Sequence, residues 1–308
     1  MEFLESVELF IKLDKTKMNY KVFFSALLLF TVLISCKKKS GRIADDPQQG
    51  TITISADESF RSVSEALTER YMALNPKTKI NLVIKKEDLG FLDLLENKVR
   101  VIVMSRELSA EEKEAYKKKI DMKMEPGKFA ADAVIFIVPK NSARESISME
   151  ELKNELNSDQ KRIIFDGTNS SNLNFVAQKL GTVPNQLKFS VISGNKNVVK
   201  EISQYPDKIG VISLNTISRP YDKESEDLKN SVKILPVISK NKTFEPSMAN
   251  IKAMTYPFTR VLYFLTNEPY YGLGNGFIRF SCQQLGQIVV EKEGLQPYTI
   301  FNREVQMR

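Results

Sequence analysis

The chain contains no histidine. This removes the commonest general base and metal ligand, and with it Ser–His and Cys–His nucleophilic catalysis. Only two cysteines are present, Cys36 and Cys282, which excludes a disulfide framework and a cysteine-rich metal site. No spacing demands a Ser–Lys or metal–carboxylate centre, so neither an enzyme nor a bound cofactor is expected. Internal repeats and long low-complexity tracts are also missing. The net charge of +7 is of a size that nucleic-acid binders share. Here, however, basic residues are interleaved with acidic ones, which reads as a solvated face that also attracts anions, and no nucleic acid is expected as a partner. What is present suits a globular protein with a substantial core: 42% apolar and 27% charged residues over 308 positions, enough for one large domain or two lobes.

The N-terminus carries the most specific local signal. Lys21 precedes an apolar run from Val22 to Ile34, too short to span a bilayer comfortably and of the length of a signal-peptide core. The run ends in Leu33-Ile34-Ser35-Cys36, which resembles the lipobox of bacterial lipoproteins; that resemblance implies lipidation at Cys36. Residues 1–17 are unlike a signal n-region, so translation is expected to start at Met18, with residues 18–35 as the signal peptide. Residues 36–50 are polar, with Gly and Pro, and read as a flexible tether. Cys282 is expected to be a small buried hydrophobe.

From Thr51 onward short apolar runs alternate with helical periodicity, the pattern of α/β architecture. Strands are expected at "TITIS" (51–55), "KINLVI" (79–84), "VRVIVMS" (99–105), "ADAVIFIVPK" (131–140), "KFSVIS" (188–193), "KIGVISL" (208–214) and "FTRVLYFLT" (258–266). Between them, Phe60, Val63, Leu67 and Tyr71 fall at helical spacing. Ser109 is placed to cap a charged helix, and Ser148 with Glu151 forms a capping-box pattern. Residues 219–250 are weakly patterned and read as surface excursions, and a single terminal helix is expected over roughly 275–292.

Four stretches carry a family resemblance: "TITISADESFRSVSEALTERYMALNP", "VIVMSRELSAEEKE", "YPFTRVLYFLTNEP" and "GFIRFSCQQLGQIVVEKEGLQPY". In this order they resemble the opening strand and ligand loop, the Ser-Arg-Pro-Leu-like loop, the crossover strand and the closing helix of PstS-like phosphate-binding lipoproteins of ABC transporters. The resemblance runs from about Thr51 to Tyr298. It implies a two-lobed periplasmic-binding-protein fold of type 2, each lobe a mixed, mostly parallel sheet flanked by helices, with the ligand cleft between the lobes. Lobe 1 would be residues 51–131 plus 258–308, and lobe 2 residues 132–257. It further implies a monomer facing the periplasm, lipid-anchored to the cell membrane or outer membrane, that captures a small anion, phosphate first, for an ABC permease. A second function class stays open: an accessory or structural lipoprotein of the same fold, with a divergent ligand or without tight binding, working beside an energised outer-membrane uptake system.

Three loops are then expected at the cleft. The first contains Ser55, Ser59 and Phe60, but also Asp57 and Glu58, whose charge would repel an anion; the alternative role of Asp57 or Ser59 is to cap the helix that follows. The second is Ser105-Arg106. Many phosphate-binding relatives carry an aspartate five residues before this serine; here that position is Arg100, which either grips an ionised oxyanion or sits at the start of its strand paired with an acid. The third is "DGTNSSNLNF", where Asn169, Ser170, Ser171 and Asn172 match the family's lobe-2 loop. The family arginine has no counterpart there, and the cation is expected from Arg100 or Arg106. One serine of this run suffices to cap the helix carrying Leu173, Val176 and Leu180; the rest suit an anion.

Overall fold

The computed structural model describes residues 46–299, so the proposed translation start, signal peptide and Cys36 lie outside the described residues. The chain opens with β1 (Gln49–Ala56), a 3-10 turn (Glu58–Phe60) and α1 (Arg61–Leu74). Next come β2 (Lys77–Ile84), α2 (Glu87–Leu95), β3 (Val101–Met104) and α3 (Ala110–Ile120). β1 pairs in parallel with both β2 and β3. α3 begins with a complete capping box between Ser109 and Glu112, which satisfies two of the amides a helix start leaves unpaired.

The thirteen-residue β4 (Gly127–Pro139) then crosses into a second set of elements. These are β5 (Ile147–Ser148), α4 (Met149–Asn157), β6 (Ile163–Phe165), α5 (Ser171–Lys179), β7 (Ser190–Val191), α6 (Asn195–Glu201) and β8 (Ile209–Ser213), followed by α7 (Lys223–Ser231), β9 (Val232–Leu235), β10 (Val237–Ser239), β11 (Lys242–Phe244) and α8 (Met248–Lys252). The chain returns through β12 (Thr259–Thr266) and closes with α9 (Leu273–Cys282), α10 (Gln284–Lys292) and β13 (Gln296–Pro297). The main sheet runs β2-β1-β3-β12-β4-β8-β6-β7. β4 and β12, side by side and antiparallel, are the two crossovers.

Two large cores flank these crossovers. One gathers Ile52, Ile54, Phe60, Val63, Leu67, Phe129, Phe264 and Phe277, with Phe129 and Phe264 stacked at 4.3 Å. The other gathers Phe136, Ile163, Phe165, Leu173, Val176, Val211 and Phe258. Fully burying each such side chain contributes about 1.5–3 kcal/mol, which is what holds two lobes of this size around a polar seam.

Three expectations are corrected. Residues 219–250 are not mere excursions: β9 pairs with β4, setting Leu235 opposite Phe136, and Val232, Leu235 and Val237 are buried. Their burial comes from a partner almost a hundred residues away, which local periodicity does not report. The terminal helix is two helices, broken at Gln283, where the backbone is extended. There Gln287 Nε2 donates to the carbonyls of Ser281 and Phe129 (2.7 and 2.9 Å), satisfying an acceptor that the break releases. In "KFSVIS" only Ser190–Val191 is strand, at the sheet's edge; Phe189 packs instead against Phe165, ring centroids 5.4 Å apart.

Candidate functional site

The carboxyl ends of β1, β2, β3, β6 and β8 meet between the lobes, where their outgoing loops lead into helix starts. Such starts present N–H groups without helical partners and a partial positive charge. Three of them converge on one side chain. Asp57 Oδ1 accepts the N–H of Ser59 at 3.0 Å, in the 3-10 turn ahead of α1. Asp57 Oδ2 accepts the N–H of Glu87, first residue of α2, at 3.1 Å, and that of Ser171, first residue of α5, at 3.2 Å. The first two donors belong to the β1–β3 lobe and the third to the β6–β8 lobe. Asp57 is 1% exposed.

Around this carboxylate lies a buried polar network. Ser171 Oγ donates to Ser59 Oγ at 2.9 Å, and Asn195 Nδ2 donates to the same oxygen at 3.2 Å. Asn172 Nδ2 donates to Asp166 Oδ1 and Asn195 Oδ1. Lys86 reaches across from the end of β2 to the carboxylate and carbonyl of Asp166, both at 2.9 Å. Gly167 permits this approach: its φ is +149°, and a Cβ there would lie 2.9 Å from Lys86 Cε. Burial disfavours the Lys86 charge, but Asp166 and Asp57 outweigh it and hold its pKa above the ordinary value. Asp166 is pushed upward by burial and by the neighbouring Asp57 carboxylate.

Every cation here already has a carboxylate. Arg260, fully buried, binds Asp132 through Nε and Nη2 at 3.0 and 2.8 Å, and its Nη2 also donates to Asn172 Oδ1 at 3.0 Å. Its guanidinium lies over the Phe60 ring, 4.6 Å from the centroid, while its Nη1 makes no hydrogen bond. Arg106 meets Glu87, Asp88 and Glu112 at 3.4, 2.8 and 2.7 Å. Glu87 Oε1 accepts both the N–H and the hydroxyl of Ser105, at 2.6 and 2.8 Å. Burial pushes the Glu87 carboxyl up to about 7, with Arg106 and Ser105 acting in the opposite direction.

Of the residues singled out in the sequence, Ser59, Ser105, Arg106, Ser170, Ser171 and Asn172 come together in this seam. Ser170 caps α5, its hydroxyl accepting the N–H of Leu173 at 3.3 Å. Ser55 is buried nearby, its hydroxyl without a hydrogen-bond partner. Phe60 serves as the apolar floor beneath Arg260. Asn169 is an exposed turn residue with φ +59°. Arg100 does not join them: it sits just before β3 and pairs with Glu268 at 2.8 Å and with the Tyr270 hydroxyl. The nearest guanidinium to the hydroxyl-rich loop is neither Arg100 nor Arg106 but Arg260, supplied by β12.

The fold that carries this seam is shared with known proteins. A PBP superfamily domain matches residues 43–284. The chain belongs to the PBP superfamily. Within it, the chain is 25% identical over 290 residues to the phosphate-binding protein PstS of Borreliella burgdorferi, covering 87% of this chain and 95% of that protein. A substrate-binding protein of Clostridium perfringens, solved with bound phosphate, superposes with a TM-score of 0.65 at 20% identity, covering 81% of this chain and all of that one. A phosphate transport receptor of the ABC type from Vibrio cholerae gives 0.61 at 16% identity, covering 80% and 100%. At these identities the solved structures establish the shared fold: α/β, two lobes, a cleft between them.

Sequence reasoning about this PBP-superfamily seam missed Lys86, Glu87, Asp132, Asp166, Asn195, Ser213 and Arg260. Arg260 stood inside the quoted "YPFTRVLYF" stretch, and Lys86-Glu87 opens a helix directly after a strand, so both carried a positional signal. Asp132 and Ser213 gave none: each is a polar residue in an apolar strand, brought together only by β4–β8 pairing, with Ser213 Oγ donating to Asp132 Oδ2 at 2.8 Å.

Proposed function

We propose that this chain is a solute-binding protein of an ABC-type uptake system, taking phosphate or a related oxyanion in the interlobe cleft. The observation that carries this reading is the aim of three helix-start amides, from Ser59, Glu87 and Ser171, at one point shared by both lobes. Such a point favours an anion whatever molecule supplies it. Hydroxyls of Ser59, Ser105 and Ser171 line the same seam, and Arg260 Nη1 is a buried donor with no hydrogen-bond acceptor. The relatives' names point the same way: a PstS protein, a receptor of phosphate transport and a binding protein solved with phosphate.

On this reading the lobes are residues 51–131 with 258–308 and residues 132–257, a monomer closing about β4 and β12 and docking closed on a permease. The lipobox-like Leu33-Ile34-Ser35-Cys36 supports anchoring through Cys36; among the described residues no helix is long and apolar enough to cross a membrane. Cys36→Ser should release the protein from membranes, and continued membrane association would refute the anchor.

The deciding experiment is a thermal-melting panel on the purified protein with phosphate, sulfate, arsenate and phosphonates. A ligand at 100 times its Kd stabilises by about 2.7 kcal/mol, a shift readily seen. Flat melting curves with every oxyanion would reject uptake of such a ligand. They would favour a second reading, an accessory protein that keeps the fold, which already has one observation behind it: the anion point is occupied by the chain's own Asp57.

A further inference from the structure

We infer that Asp57 is the resident anion of this cleft: its carboxylate occupies the ligand's position, ties the lobes together, and must be displaced before an external oxyanion binds. The inference builds on the oxyanion reading above. An N-cap needs only an amide of its own helix, here that of Ser59. Asp57 takes two more, one from α2 and one, Ser171 N–H, from the opposite lobe. A side chain that spends both oxygens on three helix starts across a lobe boundary does what a bound anion does in a closed binding protein.

The surrounding charges agree. Asp57, Glu87, Asp132 and Asp166 bring four buried acidic side chains, against three cations, Lys86, Arg106 and Arg260, each already paired to one of the other acids. Adding an oxyanion beside Asp57 would put like charges in a dry seam, which is strongly unfavourable. Exchanging Asp57 for the oxyanion leaves the balance nearly unchanged and keeps the three amides satisfied.

Open space adjoins the seam on the Ser59 side. Next to Ser59 lies a cavity of about 140 Å³, bordered among others by Glu58, Asn195, Asn215, Thr216 and Arg219. That volume is close to the ~150 Å³ that holds a benzene, ample for a tetrahedral oxyanion. The side chain of Asn215, which borders this cavity, is 2% exposed with neither Oδ1 nor Nδ2 hydrogen-bonded, so the cavity holds a buried polar group able to bind an incoming anion.

The test compares the full-length wild type with Asp57→Ser, which vacates the anion point and keeps a capping hydroxyl, and with Asp57→Asn, which keeps the volume and drops the charge. Inorganic phosphate is titrated by calorimetry, and lobe closure is followed by small-angle scattering with and without phosphate. Both variants should bind phosphate at least tenfold more tightly than wild type. Without phosphate Asp57→Ser should be more expanded than wild type, and phosphate should return it to the wild-type radius. If Asp57→Ser does not fold, Asp57→Asn still carries the affinity comparison. Affinity equal to or below wild type in the folded variants, with no expansion, overturns the proposal. Expansion of Asp57→Ser with no response of any of the three proteins to phosphate, sulfate, arsenate or phosphonates supports Asp57 as the latch and overturns the oxyanion reading instead.

Discussion

Arg260 and Asp132 stand directly opposite each other on the two crossover strands, both side chains fully buried. Asp132 Oδ2 takes two guanidinium bonds and the Ser213 hydroxyl, and Oδ1 takes the Asn215 N–H at 3.2 Å. The pair thus ties β12 to β4, and β4 to the end of β8, at the point where the lobes diverge.

Breaking this pair from one side should be costly, because the remaining charge has no solvent to retreat to. Arg260→Met should destabilise by about 3–5 kcal/mol in urea denaturation. The double variant Arg260→Met with Asp132→Leu should lose clearly less than the two single losses added together, with a coupling above ~1 kcal/mol. Additive losses would show that the two side chains act independently.

Arg100 gives the opposite expectation. Its guanidinium pairs with Glu268, whose two oxygens accept the N–H groups of Gly274 and Asn275, both at 2.9 Å, at the start of α9. Arg100→Ala should therefore lower stability by about 1–2 kcal/mol through a weakened helix start. Oxyanion affinity, read by the same melting panel, should stay at the wild-type value. A loss of oxyanion response with stability intact would place Arg100 back at the ligand.

The strand–helix alternation, the helix cap at Ser109 and the capping box at Ser148 were legible because each rests on neighbours within a few residues. The hydroxyl loops at Ser59, Ser105 and Ser170-Ser171 were legible for the same reason, each lying just after a strand and opening a helix. Asp57 was read as a deterrent to anions or as the cap of its helix, and it does cap, through the Ser59 N–H. The structure adds a further part, because whether a carboxylate repels or replaces a ligand depends on the Glu87 and Ser171 amides, 30 and 114 residues away in sequence. Arg260 was hidden likewise: its strand was recognised, but facing Asp132 and reaching Asn172 is a matter of strand register.

Gly294 links α10 to the second lobe and should tolerate no side chain. Its φ is +73°, and a Cβ would lie 2.0 Å from the carbonyl oxygen of Ser218, while the Ser218 hydroxyl donates to the Glu293 carbonyl at 3.0 Å. Gly294→Ala combines the left-handed penalty of about 1–2 kcal/mol with a clash against backbone that a rotamer change does not relieve. A loss of at least ~2 kcal/mol is expected on denaturant unfolding, and a loss under 1 kcal/mol would mean that the Ser218 segment yields easily.

Glu87 makes stability depend on pH with a definite sign. Its carboxyl is pushed up to about 7 from an ordinary 4.5, first by burial, with Asp57 adding to the rise and Arg106, Ser105 and Arg260 opposing it. Between those values the folded state holds a proton that the unfolded state has released. Its contribution is therefore complete below about 4.5 and is lost as pH rises through about 7. Glu87→Gln keeps an oxygen for the Ser105 N–H and hydroxyl and removes the titration. The variant should gain stability relative to wild type as pH goes from 5 to 8, on the order of 1–3 kcal/mol. The difference between the two proteins should be flat above about pH 8. A constant difference between pH 5 and 8 would show that Glu87 is ionised throughout, held so by the Arg106 guanidinium 3.4 Å away.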